Sequence, residues 1–260
     1  MSSTQVHPMA IVHPGARLGE RCRIGPFSVV GDQVQLGAGC ELVSHVVIQG
    51  DTEVGEECRF FPFSSVGLEP QDLKYHGERT RVRIGSHNLF RECCTVHSGT
   101  AGGGGVTSIG DRNLFMAYAH VAHDCRVGCD TVFANAATLA GHVVVENFAV
   151  IGAFSGVHQF CRIGAYAYIG GYSVITQDAL PYILTVGNRA RAFGINVIGL
   201  KRRAFPEQTL NALKRAYRLL FQSKLTTSRA LEQMEQEMGE VQEVVYLASF
   251  IKATERGIIK

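Results

Sequence analysis

Four histidines crowd the middle of the chain: His120 and His123 in AHVAHDC, His142 in AGH, and His158 in VHQF. An imidazole titrates near neutral pH, so one poised histidine can serve as a general base. Two or three with converging nitrogens can instead hold zinc. Any one alone reads equally well as a hydrogen-bonded surface histidine. His123 and His142 are 19 residues apart, and His142 and His158 are 16 apart. Whether they meet depends on a scaffold that returns to the same edge about every 18 residues.

The chain carries such a scaffold. An aliphatic or aromatic residue recurs every sixth position through Val12, Leu18, Ile24, Val30, Leu36, Leu42, Ile48, Val54, Phe60 and Val66. The phase resumes at Ile84, Phe90 and Val96, then runs one residue out of step from Ile109 to Ile175, often with glycine following. Neither a helical period of 3.6 nor a strand period of 2 produces this pattern. Short strands joined by tight corners do, and hexapeptide repeats of this kind build a parallel β-helix. Three hexads close one triangular coil, so about eight coils should stack through residue 186 into a prism roughly 40 Å long. All four histidines can then lie at neighbouring levels of one edge. The two phase breaks, 68–83 and 98–108, read as loops extruded from a corner, where repeat proteins often bind ligands.

The rest of the sequence is consistent with a packed, water-facing protein. It has 260 residues, 46% of them hydrophobic, and a net charge of +2, too small by itself to argue for nucleic acid. No apolar run reaches membrane-spanning length, and Met1–Thr4 lacks the start of a signal peptide, so a cytoplasmic protein is expected. Six of the eight cysteines (Cys22, Cys40, Cys58, Cys94, Cys125 and Cys161) stand four places after a hexad aliphatic. Ser28, Val34, Val46, Thr52 and Ser64 share that position, so small, partly buried filler explains these thiols better than a disulfide or metal ladder. Beyond Pro181 the hexads stop. Leu210, Leu213, Tyr217 and Leu220 recur at helical spacing, as do Leu231, Met234 and Met238, and then Val241, Val244, Val245, Ala248 and Ile251. A mostly β chain with an α C-terminus is expected, divided into a 1–190 β-helix and a 191–260 helical bundle covering its open end. Flat-sided coils also suit a cyclic trimer.

The runs NLFMAYAHVAHDCRVG, LAGHVVVENFAVIGAFSGVHQFCRIG, QDLKYHGERTRVRIG, GGGGVTSIG and GNRARAFGINVIGLKRR resemble the acyl-carrier-protein-dependent UDP-N-acetylglucosamine O-acyltransferases of lipid A biosynthesis. The resemblance covers essentially the whole chain and implies a left-handed coil, against the usual right-handed crossover. It implies transfer of a 3-hydroxyacyl group from acyl carrier protein to the sugar 3-hydroxyl, in a homotrimer with no cofactor and no metal. His123 would be the base, Asp124 its partner, and the Gly141 N–H an oxyanion donor. Since His123 and Asp124 are sequence neighbours, their pairing requires a corner conformation. His120, His142, His158, Gln159 and Gly171 would hold sugar and acyl chain, with Asp72 and Lys74 reaching in from a neighbouring subunit. Asn196 and Arg202 would bind the nucleotide, with Ile198 standing where several members carry glutamate.

Arg189 replaces a residue that caps the acyl pocket in some members, and Tyr168 is large, so acyl length stays open, as does a 3-amino acceptor. The acidic carrier protein would dock on Lys201, Arg202, Arg203, Lys214, Arg215 and Arg218. The rivals are another hexapeptide acyltransferase, a γ-class carbonic anhydrase binding zinc through the histidines, and a non-catalytic scaffold.

Overall fold

A computed structural model describes residues 3–260; of the Met1–Thr4 stretch read above, Met1 and Ser2 lie outside the described residues. The hexads form a left-handed parallel β-helix with three faces. The first face has eleven strands starting at Gln5–Val6, the second nine starting at Ile11–Val12, and the third eight starting at Arg17–Leu18. The coil therefore opens one hexad earlier than the run from Val12, because Val6 already pairs with Ile24. The second face counts nine levels where about eight were expected.

Most strands are two residues long, and most hexads bury two side chains. In the unit from His120 to Cys125, Val121 and Cys125 point inward and are fully buried. Asp124 takes a left-handed φ of 59° to turn the corner. The same conformation recurs at nearly every corner, and non-glycine residues adopt it. Each occurrence costs roughly 1–2 kcal/mol, comparable to what burying one inward aliphatic contributes. Phe60, Phe90, Phe115 and Phe133 stack along the core with centroids 4.7–4.8 Å apart.

Cysteine fills the inward corner position as expected, and more completely buried than a partly buried filler would be. The Cys22, Cys40 and Cys58 thiols donate to the carbonyls of Gly37, Gly55 and Gly85 at 3.1–3.2 Å. All eight cysteines are free thiols.

Register shows where the insertions begin and end. Ordinary pairs sit 18 residues apart, as Val30 with Ile48, but Phe60 pairs with Phe90 and Phe90 with Phe115. The first insertion is 69–80 rather than 68–83, and the second 98–105 rather than 98–108. Leu68 and Arg81–Ile84 belong to strands, as does Val106–Ile109. The coil resumes at the small inward position, held by Val82 and Thr107, before the next hexad aliphatic. Both insertions leave the edge between the second and third faces.

At the far end, strands Ile183–Gly187 and Ala190–Ile195 form an antiparallel hairpin that covers the edge of the first face before any helix does. Four helices follow: α1 (Val197–Arg202), α2 (Glu207–Phe221), α3 (Thr227–Met238) and α4 (Gln242–Lys252). Helix α1 precedes the first helical stripe expected from sequence, which begins at Leu210. Leu210, Leu213, Leu220, Leu231, Met234, Met238, Val244, Ala248 and Ile251 build a second core, while Tyr217 is half-buried and Val245 faces outward. Asp178, almost fully buried, ties this core to the coil. It accepts from Arg162 Nε at 2.9 Å and Thr254 Oγ1 at 2.8 Å. Among the described residues no helix is long and apolar enough to cross a membrane.

Candidate active site

His123 and Asp124, Gly141 and His142, and His158 and Gln159 occupy three successive corners between the second and third faces. The left-handed φ of Asp124 turns its side chain back towards that of His123, and His123 Nδ1 lies 2.8 Å from Asp124 Oδ2. The Asp124 side chain is 0% exposed and that of His123 is 15% exposed. In the tautomer that donates from Nδ1, Nε2 is left with a free lone pair.

Gly141 lies against that ring. A Cβ built there would sit 2.4 Å from His123 Cε1 and 2.6 Å from Nε2, so only glycine leaves the imidazole in place. The Gly141 carbonyl accepts from the Phe160 N–H at 3.2 Å. His142 packs edge-on to His123 with centroids 5.1 Å apart and stacks on Phe160 at 4.5 Å.

Burial sets the charge of the surrounding histidines. His120 hydrogen-bonds Thr95 Oγ1 at 2.7 Å, and burial, aided by His97 and His123, pushes its pKa down to about 4. Burial also lowers His97 and His142, although the Asp124 carboxylate opposes the shift at His142. His97 is almost fully buried and its Nδ1 has no hydrogen-bond partner among the described residues. These rings are neutral at pH 7. His158 and Gln159 are exposed at the next level, with His158 Nδ1 3.2 Å from the Gln159 carbonyl.

Asp72 belongs to this neighbourhood within the same chain, close enough for its charge to raise the His142 pKa. Its Oδ1 accepts the Lys74 N–H at 3.0 Å, and the Lys74 side chain is exposed. Three residues stand elsewhere. Gly171 is on the corner between the first and second faces. Asn196 and Arg202 line a groove of about 760 Å³ on the first face with Phe148, Tyr168 and Ile198. Asn196 is also committed to structure, since its Oδ1 caps α1 through the Gly199 N–H and its Nδ2 donates to the Tyr166 carbonyl.

The anticipated basic surface is partly neutralised: Glu207 lies 3.7 Å from both Lys201 and Lys214, Arg215 pairs with Glu237, and Arg203 covers Phe148. His123, Asp124 and His142 each offer a ligand atom within 4.8 Å of the others, the one grouping among the described residues able to hold a metal ion.

The residues not singled out from sequence are those that hold Asp124. Thr100 donates to it through its N–H and its hydroxyl, at 2.9 and 2.7 Å, and Thr107 Oγ1 accepts its N–H at 2.8 Å. Their only sequence signal was their place in or beside an insertion on the histidine edge.

Comparison with known proteins decides the family. An O-acyltransferase of Thermodesulfovibrio yellowstonii, named as acting on acyl-[acyl-carrier-protein] and UDP-N-acetylglucosamine, is 47% identical over 98% of this chain and 99% of its own length. The chain belongs to the UDP-N-acetylglucosamine O-acyltransferase family. A relative of the same name from Alkalilimnicola ehrlichii is 50% identical over 99% of this chain and 100% of its own. The bacterial transferase hexapeptide model matches residues 15–50 and 142–177, and the second-domain model of the family matches 178–259. Among solved structures, LpxA of Acinetobacter baumannii superposes with a TM-score of 0.95 at 43% identity, covering 98% of this chain and 99% of that one. The Arabidopsis UDP-N-acetylglucosamine acyltransferase gives 0.87 at 36% identity, covering 98% and 100%.

Proposed function

We propose that this chain transfers a 3-hydroxyacyl group from acyl carrier protein to the 3-hydroxyl of UDP-N-acetylglucosamine, the entry step of lipid A biosynthesis. The observation that carries this reading is the His123–Asp124 pair set against Gly141. A sugar hydroxyl is a weak nucleophile at pH 7 and needs a base. His123 Nε2 takes the hydroxyl proton as the oxygen attacks the thioester carbonyl. Asp124 holds the ring in its tautomer and stabilises the imidazolium. The Gly141 N–H stabilises the carbonyl oxygen as it becomes negative. The tetrahedral intermediate then collapses, the C–S bond breaks, and His123 returns the proton to the departing thiolate. No covalent enzyme intermediate forms.

Neutral His120 and His142, with His158, Gln159, Asp72 and Lys74, line the approach of sugar and acyl chain. The 1–190 coil thus carries the chemistry, and the 191–260 unit contributes the nucleotide groove at Asn196 and Arg202 and the carrier-protein surface. That groove and the His123 corner lie on different faces of one chain. A cytoplasmic homotrimer that sets the face of one subunit against the edge of the next would join them.

The test is turnover with UDP-N-acetylglucosamine and 3-hydroxyacyl carrier proteins of several chain lengths, for wild type and His123→Ala. Ester product lost by about a thousandfold or more in the variant is expected. A folded wild type that makes no ester with any donor overturns the reading.

A further inference from the structure

The Asp124 carboxylate faces two imidazoles. Its Oδ2 lies 2.8 Å from His123 Nδ1 and 3.8 Å from His142 Nε2. A small rotation of the carboxylate would exchange one partner for the other, so something must hold it. The coil does not, because Asp124 sits at a corner whose side chain takes no part in the strand ladder.

The second insertion supplies the restraint. Thr100 donates its N–H to Oδ1 at 2.9 Å and its hydroxyl to Oδ2 at 2.7 Å, and is itself buried. Gly99 and Gly103 pack so closely that a Cβ on either would come within 2.8 and 2.1 Å of the carboxylate. Thr100 also precedes the short 3₁₀ turn Ala101–Gly103, where a threonine side chain ordinarily caps the turn. Here the side chain makes no capping bond and is spent on Asp124. The two insertions brace one another through Thr80 Oγ1 to Ser98 Oγ at 3.0 Å, and the Ser98 N–H ties the second to the coil at the Leu68 carbonyl, 3.0 Å away.

We infer that Thr100 is a positioning residue: by holding the Asp124 carboxylate against His123 and away from His142, it decides which imidazole becomes the base. The inference rests on the proposed role of His123. It gives the second insertion a function beyond lining the cleft.

The experiment is a double-mutant cycle of Thr100→Val with Asp124→Asn, assayed with UDP-N-acetylglucosamine and 3-hydroxyacyl carrier protein. Thr100→Val should lower kcat about 10- to 100-fold with KM for the sugar nucleotide nearly unchanged, as expected for a displaced catalytic group. Thr100→Ser, which keeps the hydroxyl, should restore most of it. In the Asp124→Asn background Thr100→Val should cost nothing further, because its effect runs through the carboxylate.

Additive losses, or a Thr100→Ser variant no more active than Thr100→Val, would overturn the inference. Should Thr100→Val fail to fold, histidine ¹⁵N shifts of wild type decide. An Nδ1–H tautomer at His123 supports the restraint, and a carboxylate-bonded His142 overturns it. Full turnover by His123→Ala would defeat the base reading instead, whatever Thr100 does.

Discussion

Two edges of the same prism share a backbone and differ in chemistry. Between the second and third faces, the left-handed corner residues include Asp124, His142 and Phe160. Between the first and second faces they include Phe27, His45, Phe63, Tyr118, Phe154 and Tyr172, with φ again between 52° and 66°. The aromatic edge has no insertion, and its five aromatic carbocycles are half or more exposed. The histidine edge carries both insertions, and there a carboxylate is completely buried while three imidazoles have lowered pKa values. The corner conformation therefore supplies geometry alone. Chemistry comes from what covers the corner, because removal from water is what makes a hydrogen bond strong and an imidazole neutral.

If that contrast is right, adding one methyl group to the covered edge should damage catalysis far more than folding. In Gly141→Ala the new Cβ would meet the His123 ring at 2.4–2.6 Å. Gly141 is not in the left-handed region, so alanine brings no backbone strain, and the imidazole is what must yield. We expect turnover to fall about a hundredfold or more, with a melting temperature within a few degrees of wild type. Equal loss of stability and activity would show that Gly141 serves the coil rather than the site.

The covered histidines should also give stability a pH dependence. His120 has a folded pKa of about 4, below the ordinary value near 6.5. Between those values the unfolded chain binds more protons than the folded one. Its stabilising contribution is therefore complete above about pH 6.5 and is lost as pH falls towards 4. His97 and His142 act in the same direction. Urea unfolding should show a loss of up to about 3 kcal/mol from His120 across that window. His120→Gln should flatten the slope, and an unchanged slope would mean that the edge is wetter than its packing implies.

The contrast also explains what could be read from sequence. A residue pointing inward at every sixth position admits few backbones, so the coil, the common edge of the histidines and the small-residue position of the cysteines were all legible. The pairing of His123 with Asp124 came from the family resemblance, and the coil added only that two adjacent residues need a corner to meet. The insertion boundaries were misplaced because the hexad aliphatic was taken as the point of return, whereas Val82 and Thr107 re-enter the core two residues sooner. Helix α1 was missed because six residues carry too little periodicity, although Asn196 and Gly199 three places on form its cap. Thr100 could not be found by type or spacing. A threonine in a glycine-rich loop announces nothing until the loop folds over a buried carboxylate.

The smallest effect belongs to the uncovered edge. Phe27, His45 and Phe63 form a tilted stack with centroids 4.8 and 5.1 Å apart, and all three are exposed. An exposed aromatic pair contributes about 0.5–1.5 kcal/mol, and Phe27 already takes the left-handed conformation that alanine tolerates at Ala136 on the same edge. Phe27→Ala should therefore cost about 1 kcal/mol or less by urea unfolding and leave turnover unchanged. A large loss of turnover would mean that this edge is covered in the working enzyme by something outside the single chain. The contrast between the edges would then describe the subunit rather than the assembly.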